Sequence, residues 1–130
     1  MTRKARDRRP RVLIVDDEAP LRELMLVTLS DEFQCQEAVD GETALDQLRE
    51  SPPELVVLDV MLPGVSGIDV LREMRADPAL RDVAVMVVSA WQGPKDVAAA
   101  LESGADRFLA KPFDVDELAS AARDLVERGS

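Results

Sequence analysis

The strongest constraint on this chain's fold is a regular alternation of short apolar runs with longer amphipathic segments. Short, apolar and often β-branched runs are typical of strands that are buried on both faces of a sheet. Strands that alternate with helices run parallel and are joined by right-handed crossovers. The sequence therefore predicts an α/β fold with five strands and five helices. The five apolar runs are Val12–Val15, Phe33–Ala38 (a weak run), Leu55–Leu58, Val83–Val88 and Phe108–Ala110.

Residues that favour helix termini mark where the amphipathic segments begin and end. A proline in the first turn, or an Asp or Ser just before it, favours a helix start. A glycine or a proline beyond the last turn favours a helix end. For five parallel strands, the common doubly wound, flavodoxin-like order is 2-1-3-4-5, with helices on both faces. The predicted starts lie at Pro20, Asp40, Ser66, Pro94 and Asp114, and two predicted ends at Pro78 and Gly104.

Chemically distinctive side chains follow four of the predicted strands. Asp16 and Asp17 come after the first strand, Asp59 after the third, Ser89 at the end of the fourth and Lys111 after the fifth. In doubly wound sheets the ligand site lies beyond these carboxyl ends. Clustered carboxylates repel one another, and a hard divalent cation relieves that repulsion. An ammonium and a hydroxyl suit phosphate oxygens, so the pattern favours metal-dependent phosphoryl transfer to a carboxylate.

Each of these residues also has an ordinary structural interpretation. Asp16 and Asp17 can cap a helix, Asp59 and Ser89 can be turn residues, and Lys111 can be a surface lysine. An unrelated α/β enzyme with an aspartyl nucleophile, such as a phosphatase, is a further alternative. The expected meeting of all five side chains at one sheet edge favours a functional site.

Composition narrows the remaining classes of function. The chain has 130 residues, no histidine, one cysteine and a net charge of −10. Without histidine, Ser-His-Asp and Cys-His catalysis and His-ligated metals are excluded. A single cysteine excludes an internal disulfide, so we expect a cytoplasmic location. We expect no membrane span, since no apolar run is long enough, and no direct contact of this acidic domain with nucleic acid.

The first ten residues differ in charge from the rest of the chain. Residues 1–10 carry five basic side chains and one acidic one, a net charge of +4 in a chain of net charge −10. Polar, charged termini are commonly poorly ordered. We therefore predict a basic, flexible N-terminal tail over residues 1–10 and a folded domain over residues 11–128.

Four segments of the sequence resemble a known family. They are VLIVDDE at 12–18, LDVMLPGVSG at 58–67, SA at 89–90 and GADRFLAKPF at 104–113. In this order and at strand ends, they resemble the CheY-like receiver domain of two-component response regulators. The resemblance implies a phosphorylatable signalling switch that catalyses only its own phosphorylation and dephosphorylation. The alternative is a receiver-like protein-interaction module that is never phosphorylated.

The resemblance implies a role for each acidic residue. Asp59 matches the phosphoacceptor, which receives a phosphoryl group from a histidine kinase or a histidine phosphotransfer protein. Asp17 and Asp59 match direct magnesium ligands, with the backbone carbonyl of Met61 as the third protein ligand. Asp16 matches the acid that holds the metal through water. The implied cofactor is Mg²⁺, for which Mn²⁺ can substitute.

The resemblance also implies a switch and an output surface. Lys111 matches the lysine that pairs with the phosphoryl group, and its bond to Pro112 is expected to be cis. Ser89 matches the switch hydroxyl, and Phe108 matches the aromatic side chain that follows its movement. A downstream protein is expected on the surface formed by helix 4, strand 5 and helix 5. Trp91, two residues beyond Ser89, is expected to report the switch by fluorescence.

One departure limits the resemblance. Regulators with a winged-helix output domain commonly carry an acid at the position of Arg107 and a basic residue at that of Ala121. Those groups build a dimer across helix 4, strand 5 and helix 5. The resemblance therefore does not extend to that dimer.

Overall fold

A computed structural model of the chain describes residues 8–90 and 93–129. Residues 1–7, which hold most of the predicted basic tail, and Trp91, the predicted reporter, lie outside the described residues. The strands are β1 (Arg11–Val15), β2 (Gln34–Ala38), β3 (Leu55–Leu58), β4 (Ala84–Ser89) and β5 (Arg107–Ala110). The helices are α1 (Ala19–Leu29), α2 (Gly41–Glu50), α3 (Gly67–Ala76), α4 (Pro94–Glu102) and α5 (Val115–Gly129).

The five strands form one parallel sheet in the order β2-β1-β3-β4-β5. The predicted doubly wound fold is therefore confirmed. Val15 pairs with Leu58, and Leu58 pairs with Val87. Because β1, β3 and β4 are in register at these positions, the residues that follow each strand emerge at the same edge of the sheet.

The sheet separates two apolar cores, since successive strand residues point to opposite faces. Leu13 and Val15 of β1 face the core shared with α2 and α3, whereas Val12 and Ile14 face the core shared with α1 and α5. Burial of each such side chain contributes about 1.5–3 kcal/mol to the hydrophobic driving force. These cores fix the sheet edge from which the polar side chains project.

Several predicted helix termini are formed by the expected residues. The Asp40 side chain accepts the Thr43 N–H at 2.8 Å, and the Ser66 hydroxyl accepts the Asp69 N–H at 3.2 Å. The Asp114 carboxylate accepts the Asp116 N–H at 2.8 Å. Gly104 follows α4 with a φ of 114°, a conformation that favours glycine at a helix end.

Arg9 and Pro10, just before β1, contact the folded domain. The Pro10 carbonyl accepts the Gln34 N–H at 2.9 Å, and an Arg9 guanidinium N–H donates to the Ser30 carbonyl at 2.6 Å. These last residues of the predicted tail therefore lie against the end of α1 and the start of β2. Within residues 8–90 and 93–129, no helix combines the length and apolar character that a bilayer span requires.

Candidate functional site

Three carboxylates converge at the carboxyl edge of the sheet. Asp16 and Asp17 follow β1, and Asp59 follows the neighbouring strand β3. One oxygen from each carboxylate lies within 4.8 Å of the others. Asp16 and Asp59 are buried, whereas Asp17 is exposed. The predicted acidic cluster is thus present, and one of its members faces solvent.

Lys111, from the loop that follows β5, lies beside this cluster. Its Nζ is 2.9 Å from Asp16 Oδ2, 3.2 Å from Asp59 Oδ2 and 3.3 Å from Glu18 Oε1. Its side chain is only 9% exposed. Three carboxylates contact this ammonium and Asp17 lies close by, so the five groups carry a net charge of −3 when all are ionised. This excess of negative charge favours the binding of a cation.

The pKa of Asp59 is raised above its ordinary value, chiefly because burial disfavours the carboxylate. The Met61 N–H and the Lys111 ammonium act in the opposite direction, and the charge of Asp16 adds to the rise. Burial alone would lower the pKa of Lys111, but its hydrogen bond to Asp16 and the charges of Asp59 and Asp16 raise it overall. The lysine therefore remains protonated at neutral pH.

Asp16 and Asp17 differ in how the protein occupies their oxygens. Asp16 Oδ1 accepts the Glu18 N–H at 2.9 Å, and its Oδ2 accepts from Lys111. The Asp16 carbonyl accepts from Arg22 Nη1 at 2.8 Å. Within residues 8–90 and 93–129, no hydrogen bond to the Asp17 carboxylate is formed. Carboxylate oxygens are the ligands that hard divalent cations prefer, so Asp17, at the exposed side of the cluster, fits a metal ligand.

The loop after β3 holds Asp59 in place. Asp59 Oδ1 accepts the Met61 N–H at 3.1 Å, while the Met61 side chain is exposed. Gly67, at the start of α3, packs so closely on this loop that a Cβ there would lie 2.2 Å from the Asp59 carbonyl oxygen. The Gly67 N–H also donates to the Val60 carbonyl at 2.9 Å. A glycine is needed here because the backbone of α3 approaches the acidic residue directly.

The remaining predicted residues lie on β4, β5 and the loop after β5. Ser89 is fully buried at the end of β4, and its carbonyl accepts the Lys111 N–H at 2.9 Å. Phe108 is half-buried, pairs with Val87 and packs against the core shared with α2 and α3. The peptide bond between Lys111 and Pro112 is cis.

Sequence reasoning missed two residues of this site. Glu18 contacts Lys111, although it stands at the N-cap of α1, where its side chain makes no capping bond. Arg22 contacts the Asp16 carbonyl. The sequence carries no signal for Arg22, because its partner in the loop is a backbone carbonyl, which every residue has.

Comparison with known proteins identifies the family of this α/β domain. The response regulator receiver domain profile matches residues 12–123. Because the match spans most of the chain, the chain belongs to the response regulator receiver domain family. Domains of this family are phosphoacceptor signalling domains of two-component systems, and the acidic cluster described above is typical of their metal site.

Curated relatives and solved structures are similar over nearly the whole chain. The chain is 39% identical over 119 residues to the phosphate regulon transcriptional regulatory protein PhoB of Escherichia coli (91% of this chain, 52% of that protein). It is 43% identical over 121 residues to the DNA-binding response regulator MtrA of Mycolicibacterium paratuberculosis (92% and 52%). A putative response regulator from Chloroflexus aurantiacus superposes with a TM-score of 0.89 at 29% identity (93% and 100%). The chain spans about half the length of these curated relatives.

Proposed function

We propose that this domain accepts a phosphoryl group on Asp59 from a histidine kinase or a histidine phosphotransfer protein and thereby switches conformation. The observation that carries the proposal is the position of Asp59, which is buried beside the Lys111 ammonium and close to the carboxylates of Asp16 and Asp17. In the reaction, the P–N bond of a phosphohistidine breaks as a P–O bond forms to an Asp59 oxygen. The departing imidazole takes a proton from solvent.

The proposal includes a divalent cation, Mg²⁺ or Mn²⁺. Asp17, Asp59 and the Met61 carbonyl would hold it directly, and Asp16 would contact it through water. When bound, the cation neutralises charge on the transferred phosphoryl group. The donor set supports this assignment, because it consists of hard oxygen ligands with excess negative charge.

The chain's own residues supply the rest of the chemistry. Asp59 attacks as a carboxylate, and the Met61 N–H and the Lys111 ammonium stabilise that ionised form. Lys111 then pairs with the phosphoryl oxygens as a point charge. We assign Ser89 as the hydroxyl that moves towards the phosphoryl group and Phe108 as the aromatic side chain that follows. Phe108 is suited to this role because it is half-buried at the edge of an apolar core.

The proposed partners follow from the same function. An upstream histidine kinase or phosphotransfer protein donates the phosphoryl group, and a downstream protein binds the surface of α4, β5 and α5. Ala121 of α5 is fully buried, so its side chain does not form part of that surface. The similar regulators are named for transcription and DNA binding, but the acidic domain proposed here acts through proteins in the cytoplasm and does not contact nucleic acid itself.

Intact-mass measurement after treatment with acetyl phosphate and Mg²⁺ tests the proposal. We expect one added phosphoryl group on the wild-type chain and none on Asp59→Asn, because an amide cannot form the acyl phosphate. Asp46→Asn is the matched control, since Asp46 is an exposed carboxylate on α2 that lies outside the acidic cluster. An unlabelled wild-type chain would favour the interaction module, and a labelled Asp59→Asn chain would identify another acceptor.

A further inference from the structure

Arg22 connects the acidic loop to the neighbouring strand. It lies in α1, one turn beyond Glu18, whose carbonyl accepts its backbone N–H at 2.9 Å. Its Nη1 donates to the Asp16 carbonyl at 2.8 Å, and its Nε donates to Glu37 Oε1 of β2 at 2.6 Å. The Arg22 side chain is only 14% exposed. One guanidinium therefore spans the β1–α1 loop and the edge strand of the sheet.

Two fixed partners restrict the Arg22 guanidinium. Its bonds to the Asp16 carbonyl and the Glu37 carboxylate join two separate elements, and a guanidinium presents its N–H donors in a rigid fork. A side chain held by both elements in this way limits movement of the loop that carries Asp16.

We infer that Arg22 is a positioning residue that holds the Asp16–Glu18 loop in the conformation that binds the divalent cation. The inference rests on the proposed function. Asp16 is fixed through its carboxylate by Lys111 and through its carbonyl by Arg22. Asp17, the next residue, has no such bond among the described residues, so its placement depends on the backbone that Arg22 anchors.

Charge and geometry predict opposite effects of removing Arg22. If the guanidinium acted only through its positive charge, its removal would strengthen cation binding, because it lies near the carboxylates. If it positions the loop, its removal weakens cation binding, since the ligands lose their prearranged geometry. Loss of a group that orients metal ligands weakens metal affinity by about tenfold or more. The sign of the change therefore separates the two roles.

The test is a Mn²⁺ titration followed by electron paramagnetic resonance, with Mg²⁺ competition, on folded protein verified by circular dichroism. We expect Arg22→Ala to bind Mn²⁺ about tenfold more weakly than wild type. Arg22→Lys keeps the charge but loses the two-armed fork, so we expect it to bind more weakly than wild type as well. Arg49→Ala is the matched control, because Arg49 forms exposed ion pairs with Glu73 and Asp77 away from the loop.

A double-mutant cycle sharpens the test. If Glu37 acts only by holding Arg22, Glu37→Ala weakens Mn²⁺ binding in the wild-type background and has no effect when Arg22 is already alanine. Unchanged or tighter binding by folded Arg22→Ala and Arg22→Lys would overturn the inference and leave the proposed function intact. Failure of the wild-type chain to bind Mn²⁺ or Mg²⁺ would instead overturn the metal site itself.

Discussion

Two largely buried cations, at opposite edges of the sheet, have very different surroundings. Lys111 lies at the carboxyl edge against three carboxylates, with a fourth close by. Arg75, at the end of α3, lies at the amino edge, and its side chain is 22% exposed. Among the described residues, it forms an ion pair with one carboxylate, and its other hydrogen-bond acceptors are backbone carbonyls. The Arg75 acceptors are the carbonyls of Arg81, Val83 and Gly104 and the Asp106 carboxylate.

The difference separates a structural cluster from a reactive one. The protein alone satisfies the charge and the donors of Arg75, so that cluster needs no further component. The Lys111 cluster retains excess negative charge, and burial raises the pKa of its central carboxyl group, Asp59. Such a site is destabilised until a cation binds, which is the property expected of a metal-dependent phosphoacceptor.

Removing Arg75 should have the largest effect on stability. We expect Arg75→Ala to lower the free energy of unfolding by about 2–3 kcal/mol, because the partly buried carbonyls of Val83 and Gly104 lose a charged donor. Urea unfolding followed by circular dichroism measures this change. The control Arg49→Ala breaks exposed ion pairs and should cost about 0.5 kcal/mol or less. Equal losses in the two variants would show that the Arg75 cluster is not structural.

Gly104→Ala tests the packing of Gly104 against the Arg75 side chain. Gly104 has a φ of 114°, and a Cβ there would lie 2.6 Å from Arg75 Cγ. We expect a loss of about 2 kcal/mol from backbone strain and displacement of the Arg75 side chain. In the Arg75→Ala background the loss should shrink, since only the backbone strain remains. Strict additivity in urea unfolding would argue against the close contact.

At the carboxyl edge, Asp59→Asn should raise the free energy of unfolding instead of lowering it. Without metal at neutral pH, we expect it to stabilise the fold by on the order of 1 kcal/mol, because a buried charge is removed. The folded-state pKa of Asp59 is raised above its ordinary value of 3.8. The free-energy penalty for burying the wild-type carboxylate is therefore absent below pH 3.8. It grows as the pH rises towards the folded-state pKa, and it is complete above the folded-state pKa.

Unfolding measured across pH checks this prediction. The stability advantage of Asp59→Asn over wild type should disappear in acid, where the wild-type carboxyl group is protonated in both states. An advantage that stays constant from acid to neutral pH would contradict the electrostatic origin.

The smallest expected effect concerns Lys111. Lys111→Met removes the ammonium that competes with a metal for the carboxylates, so we expect Mn²⁺ to bind a few-fold more tightly. Lys95→Met, which removes an exposed lysine near the start of α4, is the control. A titration in which Lys111→Met binds Mn²⁺ more weakly would mean that the lysine organises the ligands more than it opposes the cation.

The sequence predicts the features that depend on pattern. Apolar runs that alternate with amphipathic segments, together with the residues that mark helix ends, were sufficient to predict the strand order. The reason is that a parallel α/β topology leaves few alternatives. The meeting of Asp16, Asp17 and Asp59 followed from their positions after adjacent strands. Backbone periodicity thus determines which short side chains share a sheet edge.

The features that were missed involve long, flexible side chains. Arg22 contacts the loop before its own helix, and Arg75 contacts the loop before β5. Helical periodicity identifies both residues only as charged surface positions. Their partners are mostly backbone carbonyls, which every residue carries and which no pattern of residue types distinguishes. Such contacts form only when the loops fold against the helices, so a pattern of residue types does not predict them.

The carboxyl edge carries excess negative charge, and we propose that a divalent cation binds there through Asp17. Mn²⁺ titration of wild type and Asp17→Asn tests it most directly, with Asp46→Asn as a control that removes an exposed carboxylate on α2. We expect Asp17→Asn to weaken binding by about tenfold or more, because the cation loses an anionic ligand. Asp46→Asn should bind like wild type. Equal affinities of wild type and Asp17→Asn would contradict the account.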